Sequence, residues 1–398
     1  MAKLDKLTAL RLSEPVEDAY LECIDRLIAN IAKHLGTGKA FRTADWEVRK
    51  LAELGQLTAE NARIINESTK RVPMEIRLAL EESSAIALRD LESLIDKAIK
   101  EGAIEQAPVD STVELVETMM SRAIEQANLT NATLLESSRA AYLRVVSEVV
   151  QWEEFNIGVL SKAFVQSVAN QAAIAVVSGT ETRTQALKKA IAQLAERGLF
   201  GFVDISGRHW SPEAYMGMVI RTTSHNTAID SVRAKQQDYK SDIFQVSQHP
   251  GARPLCYPYQ GKFYSWSGAS GTYTDGNGAK HKYSGIQSTS YGKPAGLFGI
   301  NCGHYPLPQI PKVTIPQDKP EQDKKENDRL YRESQQQRAY ERDIRNAKRK
   351  REAFAKAGLD DAAKEQEAVI RSRQERMREF INQTGRTRRY DRESIKGV

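Results

Sequence analysis

The sequence predicts an α+β protein: a long, mainly α-helical N-terminal domain, a compact α+β module with short antiparallel strands, and a charged helical C-terminal tail. Three observations carry this reading. Apolar residues recur at three- and four-residue spacing through most of residues 1–199, the mark of helices with one buried face. The texture changes over residues 246–306, which gather two of the three cysteines, three of the six histidines and much of the glycine, proline and tyrosine. Residues 321–380 are rich in Glu, Gln, Lys, Arg and Ala with few apolar anchors, a composition of strong helix formers with little to bury. The expected division is therefore a helical domain over 1–199, an α+β module over 200–311, a proline-rich linker over 312–320 and a helical tail over 321–398.

Taken in order, residues 13–35 place Val16, Tyr20, Cys23, Ile24, Leu27, Ile28 and Ile31 on one helical face, with Ser13 as cap and Pro15 in the first turn. The Cys23 thiol is then a small core residue. Two shorter helices are predicted over 44–54 and 58–69, with Thr58 and Asn61 available as caps. A helix over 72–101 has Pro73 in its first turn and Gly102 at its stop. Residues 112–151 contain neither glycine nor proline, and as one helix would run about 60 Å. Its apolar positions wander around the surface, which predicts several packing partners rather than one seam. Further helices follow over 157–177 and 182–197, the second ended by Gly198.

Residues 202–210 read as a short strand and turn, and Ser211, Pro212 and Glu213 start a helix that reaches about residue 239. Strands are predicted over 244–247, 262–266 and 282–286, with a hairpin turn at 268–278. The prolines between 306 and 320 make that segment extended, a linker or strap. In the tail, Gly358 separates two helices too polar to pack alone, which should lie against a partner or protrude. The last residues, 384–390, are basic and expected to be loosely ordered.

The net charge of +6 is uneven: −5 over 1–199, +5 over 200–316 and +6 over 317–398. A basic back half fits a polyanion or an acidic protein surface, and it fits a solvated helix equally well. Three scattered cysteines exclude a disulfide framework. No stretch approaches the roughly 18 apolar residues of a membrane helix. The first ten residues lack the apolar core of a secretory signal, so the chain is expected in the cytoplasm that makes it, without membrane contact.

Catalytic signatures are missing. There is no Walker-type phosphate loop and no His-Glu-x-x-His motif. Not one glutamate lies between Glu213 and Glu321, and Asp230, Asp238, Asp242 and Asp275 are scattered, so neither a carboxylate pair for glycosidic cleavage nor the glutamate of ADP-ribosyl transfer has a candidate there. Cys302 could pair with His225 or His249 as a nucleophile but lies in no local signature of a cysteine enzyme. His249, Cys256, Cys302 and His304 have the ligand types of a zinc site. They equally suit a hydrogen-bonded, metal-free cluster, and either arrangement would pin the two ends of the 246–306 segment together. The helical Arg221 could hold a phosphate or pair with a carboxylate or carbonyl. Lys348, Arg349, Lys350, Arg351, Arg386, Arg388 and Arg389 are candidate contacts to DNA phosphates or an acidic surface.

The order Gly207-Arg208-x-Trp210, Tyr215, Arg221, then Gly251-Ala252-Arg253-Pro254, Gln260-Gly261-Lys262 and Asn301-Cys302-x-His304 resembles the phage minor capsid protein 2 family, which is related to the Mu F-like head morphogenesis proteins. The specific part covers residues 202–311, with Gly207, Trp210, Arg221, Gly251, Arg253, Gln260, Gly261 and Asn301 as its motif. The resemblance implies a non-enzymatic, low-copy structural protein of a tailed-phage head. It further implies contact with the portal protein and with major capsid or scaffold proteins, a role in head morphogenesis and in DNA packaging or ejection, assembly in the host cytoplasm and a final place in the virion. Two alternatives stay open at this point: a virion-borne enzyme or toxin-like effector injected with the genome, and a non-specific DNA-binding accessory protein.

Overall fold

The computed structural model describes residues 6–36, 43–106, 111–167, 179–199, 202–203, 209–317 and 323–397. Its helices are α1 (Lys6–Leu35), α2 (Thr43–Thr69), α3 (Val72–Lys100), α4 (Thr112–Ser167), α5 (Gly179–Arg197), α6 (Pro212–Asp238), α7 (Lys324–Lys356) and α8 (Asp360–Thr384). The strands are β1 (Phe202–Val203), β2 (His209–Trp210), β3 (Ile243–Val246), β4 (Phe263–Ser265), β5 (Gly271–Thr274), β6 (Lys280–Gly285) and β7 (Pro306–Gln309). This is the α+β architecture expected. Two compact units are formed by discontinuous segments: one from Met1–Glu17, Arg71–Asn128 and Met216–Gln336, the other from Asp18–Lys70, Leu129–Tyr215 and Gln337–Val398.

Several boundaries differ from the expected ones. The first helix begins before Ser13, whose hydroxyl donates to the Leu10 carbonyl at 3.0 Å and caps nothing. The two helices expected over 44–69 are one, because a bonded turn passes straight through Gly55, which is helical and meets no neighbour. Thr58 donates back to the Leu54 carbonyl at 2.7 Å, as a mid-helix threonine does. Asn61 is buried and bridges, accepting from Asn30 at 2.9 Å and donating to Ser138 at 3.0 Å. The separate helix expected over 157–177 merges at its start into α4, and its residues 168–177 lie outside the described residues.

In the first unit α6 packs on a five-stranded sheet of order β5-β6-β4-β3-β7. Ala228 and Ile229 of α6 meet Phe244, Val246, Tyr264, Trp266, Leu297 and Phe298 in one core. Phe244 and Trp266 stack at 4.2 Å, and the Trp266 indole N–H donates to Gln236 at 3.0 Å. The sheet is mixed rather than purely antiparallel, since β4 and β6 pair in parallel. The reason is that β5 occupies what was expected to be turn. The chain leaves β4, forms the edge strand β5, turns at Asp275, and returns as β6 between β5 and β4. A side chain at Gly285 would come within 2.5 Å of the Gly268 carbonyl oxygen, so this crossing requires glycine. The extended proline segment starts as β7, which pairs with β3. As an edge strand it can accept Pro306 and Pro308, which lack a donor.

In the second unit Tyr20, Ile24, Leu27, Ile28 and Ile31 of α1 are fully or almost fully buried, as their spacing predicts. Helix α7 finds its partners within the chain, burying Ile344, Ala347, Ala353 and Phe354. Gly358 (φ 71°) separates it from α8, and Gly385 (φ 67°) ends α8. Residues 384–390, expected to be loosely ordered, make specific contacts instead. Arg388 makes two 2.6 Å bonds to the buried Glu393, and Arg386 donates to Gln337 at 2.6 Å. Opposite charges within the segment hold it in place, which a count of basic residues alone overlooks.

Candidate functional site

The antiparallel register that sets Val246 opposite Pro306 sends the residues after β3 and those before β7 out of the same end of the sheet. The Ser247 N–H donates to the Tyr305 carbonyl at 2.9 Å, and Tyr305 N–H returns a bond to the Ser247 hydroxyl at 2.8 Å. His249, three residues after β3, and His304, two before β7, therefore face each other, ring centroids 4.3 Å apart.

The cysteines arrive on tight turns. Cys256 follows a turn closed by its own N–H on the Arg253 carbonyl at 2.9 Å. Arg253 clamps that turn to the opposite loop, donating to the carbonyls of Ile300 at 2.8 Å and Gly296 at 3.2 Å. Cys302 follows Asn301, which adopts φ 54°, a left-handed conformation that asparagine tolerates. The result sets the Cys256 and Cys302 sulfurs 3.9 Å apart, and the Cys302 sulfur 3.3 Å from His304 Nδ1. The three ligating atoms of Cys256, Cys302 and His304 lie within 4.8 Å of one another, and all three residues are buried.

The surroundings fix the protonation pattern. Gln260 Oε1 receives the His249 backbone N–H at 2.8 Å and faces His304 Nε2 at 3.1 Å. A backbone N–H only donates, so the facing Gln260 atom is its oxygen and His304 Nε2 carries the proton. The lone pair of His304 is then on Nδ1, pointing at Cys302. The hydrogen bond from Cys256 holds the Cys302 thiol well below its ordinary range despite burial, while the same bond and burial push Cys256 up. One proton shared unequally between two sulfurs accounts for both directions.

His225 of α6 does not pair with Cys302. Its Nε2 bonds the His304 carbonyl at 2.7 Å, and burial lowers its pKa. Arg221 takes the second of its two expected roles, donating to Asn301 Oδ1 at 3.1 Å and pairing with Glu17. The left-handed Gly251 (φ 67°) packs against the backbone of Leu330 and Tyr331. Beside it Asn327 accepts the Ala252 N–H at 2.8 Å and donates to the Ala252 carbonyl at 2.9 Å. Gly261 (φ 73°) returns its N–H to Val246 at 2.9 Å. Trp210 ends β2, paired with Phe202, while Gly207 lies outside the described residues. The bridging of Gln260 and the clamp by Asn327 escape the sequence. Gln260 stands out only as a motif residue, and Asn327 sits unmarked in a charged segment.

The seven basic candidates are distributed differently. None is exposed; Arg349 is buried and the other six are half-buried. Arg349 binds Asp25 at 2.6 Å, Lys350 pairs with Glu196, and Arg389 pairs with Asp391 at 3.0 Å.

The fold is helical with a small clasped sheet, and comparison with known sequences supplies the class of protein. The chain belongs to the Phage minor capsid protein 2 family, whose profile matches residues 5–164 and 160–382. It is 28% identical over 378 residues, 92% of this chain and 93% of the relative, to a structural protein of Lactococcus phage LL-H. It is 36% identical over 120 residues to a structural protein of Lactococcus phage mv4, covering 29% of this chain and 95% of that protein. No solved structure matches. The chain is accordingly a phage structural protein and a component of the virion.

Proposed function

We propose that the protein is a low-copy component of the phage head that docks at the portal, helps to shape the head during assembly and performs no catalysis. The observation that carries this reading is the extent of the family match, which runs from the first helix into α8. Two features support it. The Cys302 sulfur is buried, 3.9 Å from the Cys256 sulfur and 3.3 Å from His304 Nδ1, with no route to a substrate among these neighbours. The long helices also leave apolar pairs in solvent at helical spacing: Met74 and Leu78 on α3, Val48 and Leu51 on α2. Such pairs are suited to a partner helix or groove. The basic candidates for DNA or an acidic surface are mostly occupied internally, which favours other protein surfaces as partners.

The test is a reconstruction of particles from wild-type phage and from phage with this gene interrupted. The protein should appear inside the head at the portal vertex, and particles lacking it should assemble aberrantly. Density outside the head, away from portal and DNA, sinks the proposal. A Met74→Glu/Leu78→Glu variant should keep its melting temperature and be incorporated poorly. Normal incorporation would remove this face from the docking surface.

A further inference from the structure

We infer that Cys256, Cys302 and His304 form a Zn²⁺ site that locks the two ends of the 246–306 segment together. Zinc bound at about 2.3 Å from sulfur and 2.0–2.1 Å from nitrogen spaces tetrahedral ligands about 3.8 Å apart for two sulfurs and about 3.5 Å for sulfur and nitrogen. The observed separations are 3.9 Å for Cys256 to Cys302 and 3.3 Å for Cys302 to His304 Nδ1. Two of the three separations thus already match those the ion requires, and all three ligating atoms lie within 4.8 Å of one another.

The orientation of His304 is the second argument. Its Nε2–H is donated to Gln260 Oε1 at 3.1 Å, and that oxygen is fixed by the His249 backbone N–H. A metal-binding histidine characteristically gives its other ring N–H to an oxygen in this way, which sets its tautomer and aims its lone pair. His249, beside His304 at 4.3 Å between ring centroids, donates Nδ1–H to the Pro250 carbonyl at 3.1 Å, so its lone pair is on Nε2.

Charge is the third. Two thiolates balance the dication, and the Arg253 guanidinium sits 3.8 Å from the Cys256 sulfur. Binding displaces the one proton that the two sulfurs share to solvent and leaves the ion with its two thiolates uncharged. The ligands come from two loops forty-six residues apart in sequence, so the ion closes a long loop, where a cross-link restricts the unfolded chain most.

The experiment uses the full chain, purified untagged from zinc-supplemented cells. About one zinc per chain is expected by elemental analysis, falling to background in Cys256→Ser and Cys302→Ser. Because those variants could misfold, wild-type protein is also titrated with a mercurial in the presence of a chromophoric zinc chelator. Zinc should leave in step with modification of two thiols, and cobalt-exchanged protein should show thiolate-to-cobalt charge-transfer absorption. Gln260→Ala should weaken zinc binding about 10–100-fold. Folded wild-type protein that binds neither Zn²⁺ nor Co²⁺, whether its cysteines are free thiols or a Cys256–Cys302 disulfide, overturns the inference. This outcome leaves the capsid role untouched.

Discussion

Arg349 and Asp25 are both withdrawn from solvent, and the carboxylate also receives the Lys396 backbone N–H at 2.9 Å. Removing the guanidinium alone strands a buried negative charge. Arg349→Ala should therefore cost about 3–5 kcal/mol, read from urea unfolding, and replacing both partners with apolar residues should recover much of that. A loss under about 1 kcal/mol would mean that water reaches the pair. In sequence, Lys348, Arg349, Lys350 and Arg351 are consecutive candidates for a polyanion. Successive helical residues point about 100° apart, so four in a row cannot face one polyanion, and here one of them faces the core. The cysteine–histidine cluster was legible for the opposite reason. Its members stand out against a background poor in both residues, and the antiparallel ladder brings their two loops together. What the sequence does not display is which ring nitrogen points inward, because that depends on Gln260 and a backbone N–H.

At the scale of elements, helices were legible where apolar spacing was regular, and strands were lost where backbone geometry outweighed residue preference. Strand β5 hides in a glycine-rich run, and β7 in a proline-rich one that only an edge strand tolerates. Two glycines test the account in opposite directions. Gly285→Ala should push β6 off Gly268 and lower the melting temperature, with a cost of about 1–3 kcal/mol typical of overpacking. Gly55→Ala, in an open helical position, should stabilise α2 by about 0.5–1 kcal/mol. Equal effects from the two would contradict the crossing described. The β5–β6 turn has a pH signature. Asp275 accepts from His281 at 2.8 Å and from the Asn277 and Ala279 N–H groups at 2.9 Å each, and the His281 bond leads in holding its pKa below the ordinary value. A depressed carboxyl stabilises the fold above the unfolded value of about 4 and loses that contribution as pH falls through its folded pKa. Protection of the Asn277 and Ala279 amides, relative to their intrinsic exchange rates at each pH, should fall on acidification below that value. Asp275→Asn should flatten the pH dependence.

For the whole molecule, the C-terminal segment decides between an appendage and a structural member. An appendage for binding DNA can be removed with the rest intact, and the high charge of residues 321–398 invites that view. The contacts argue otherwise within each unit. In the first, Asn327 holds both backbone polar groups of Ala252, in the turn that leads to Cys256. In the second, α7 and α8 contribute Ile344, Phe354, Met377 and Phe380 to buried positions, together with the Arg349 pair. Stopping the chain after residue 320 would expose the surfaces these residues cover and strand the Asp25 carboxylate. The truncated protein should therefore aggregate or lose cooperative unfolding, measured by light scattering and circular dichroism. An appendage predicts a different result, namely an unchanged melting curve with lost, steeply salt-dependent DNA binding. Because each unit draws on the tail, the loss should register in both halves, with faster amide exchange around Ala252 as well as along α1. Exchange confined to one of these places would show that the tail supports only that unit.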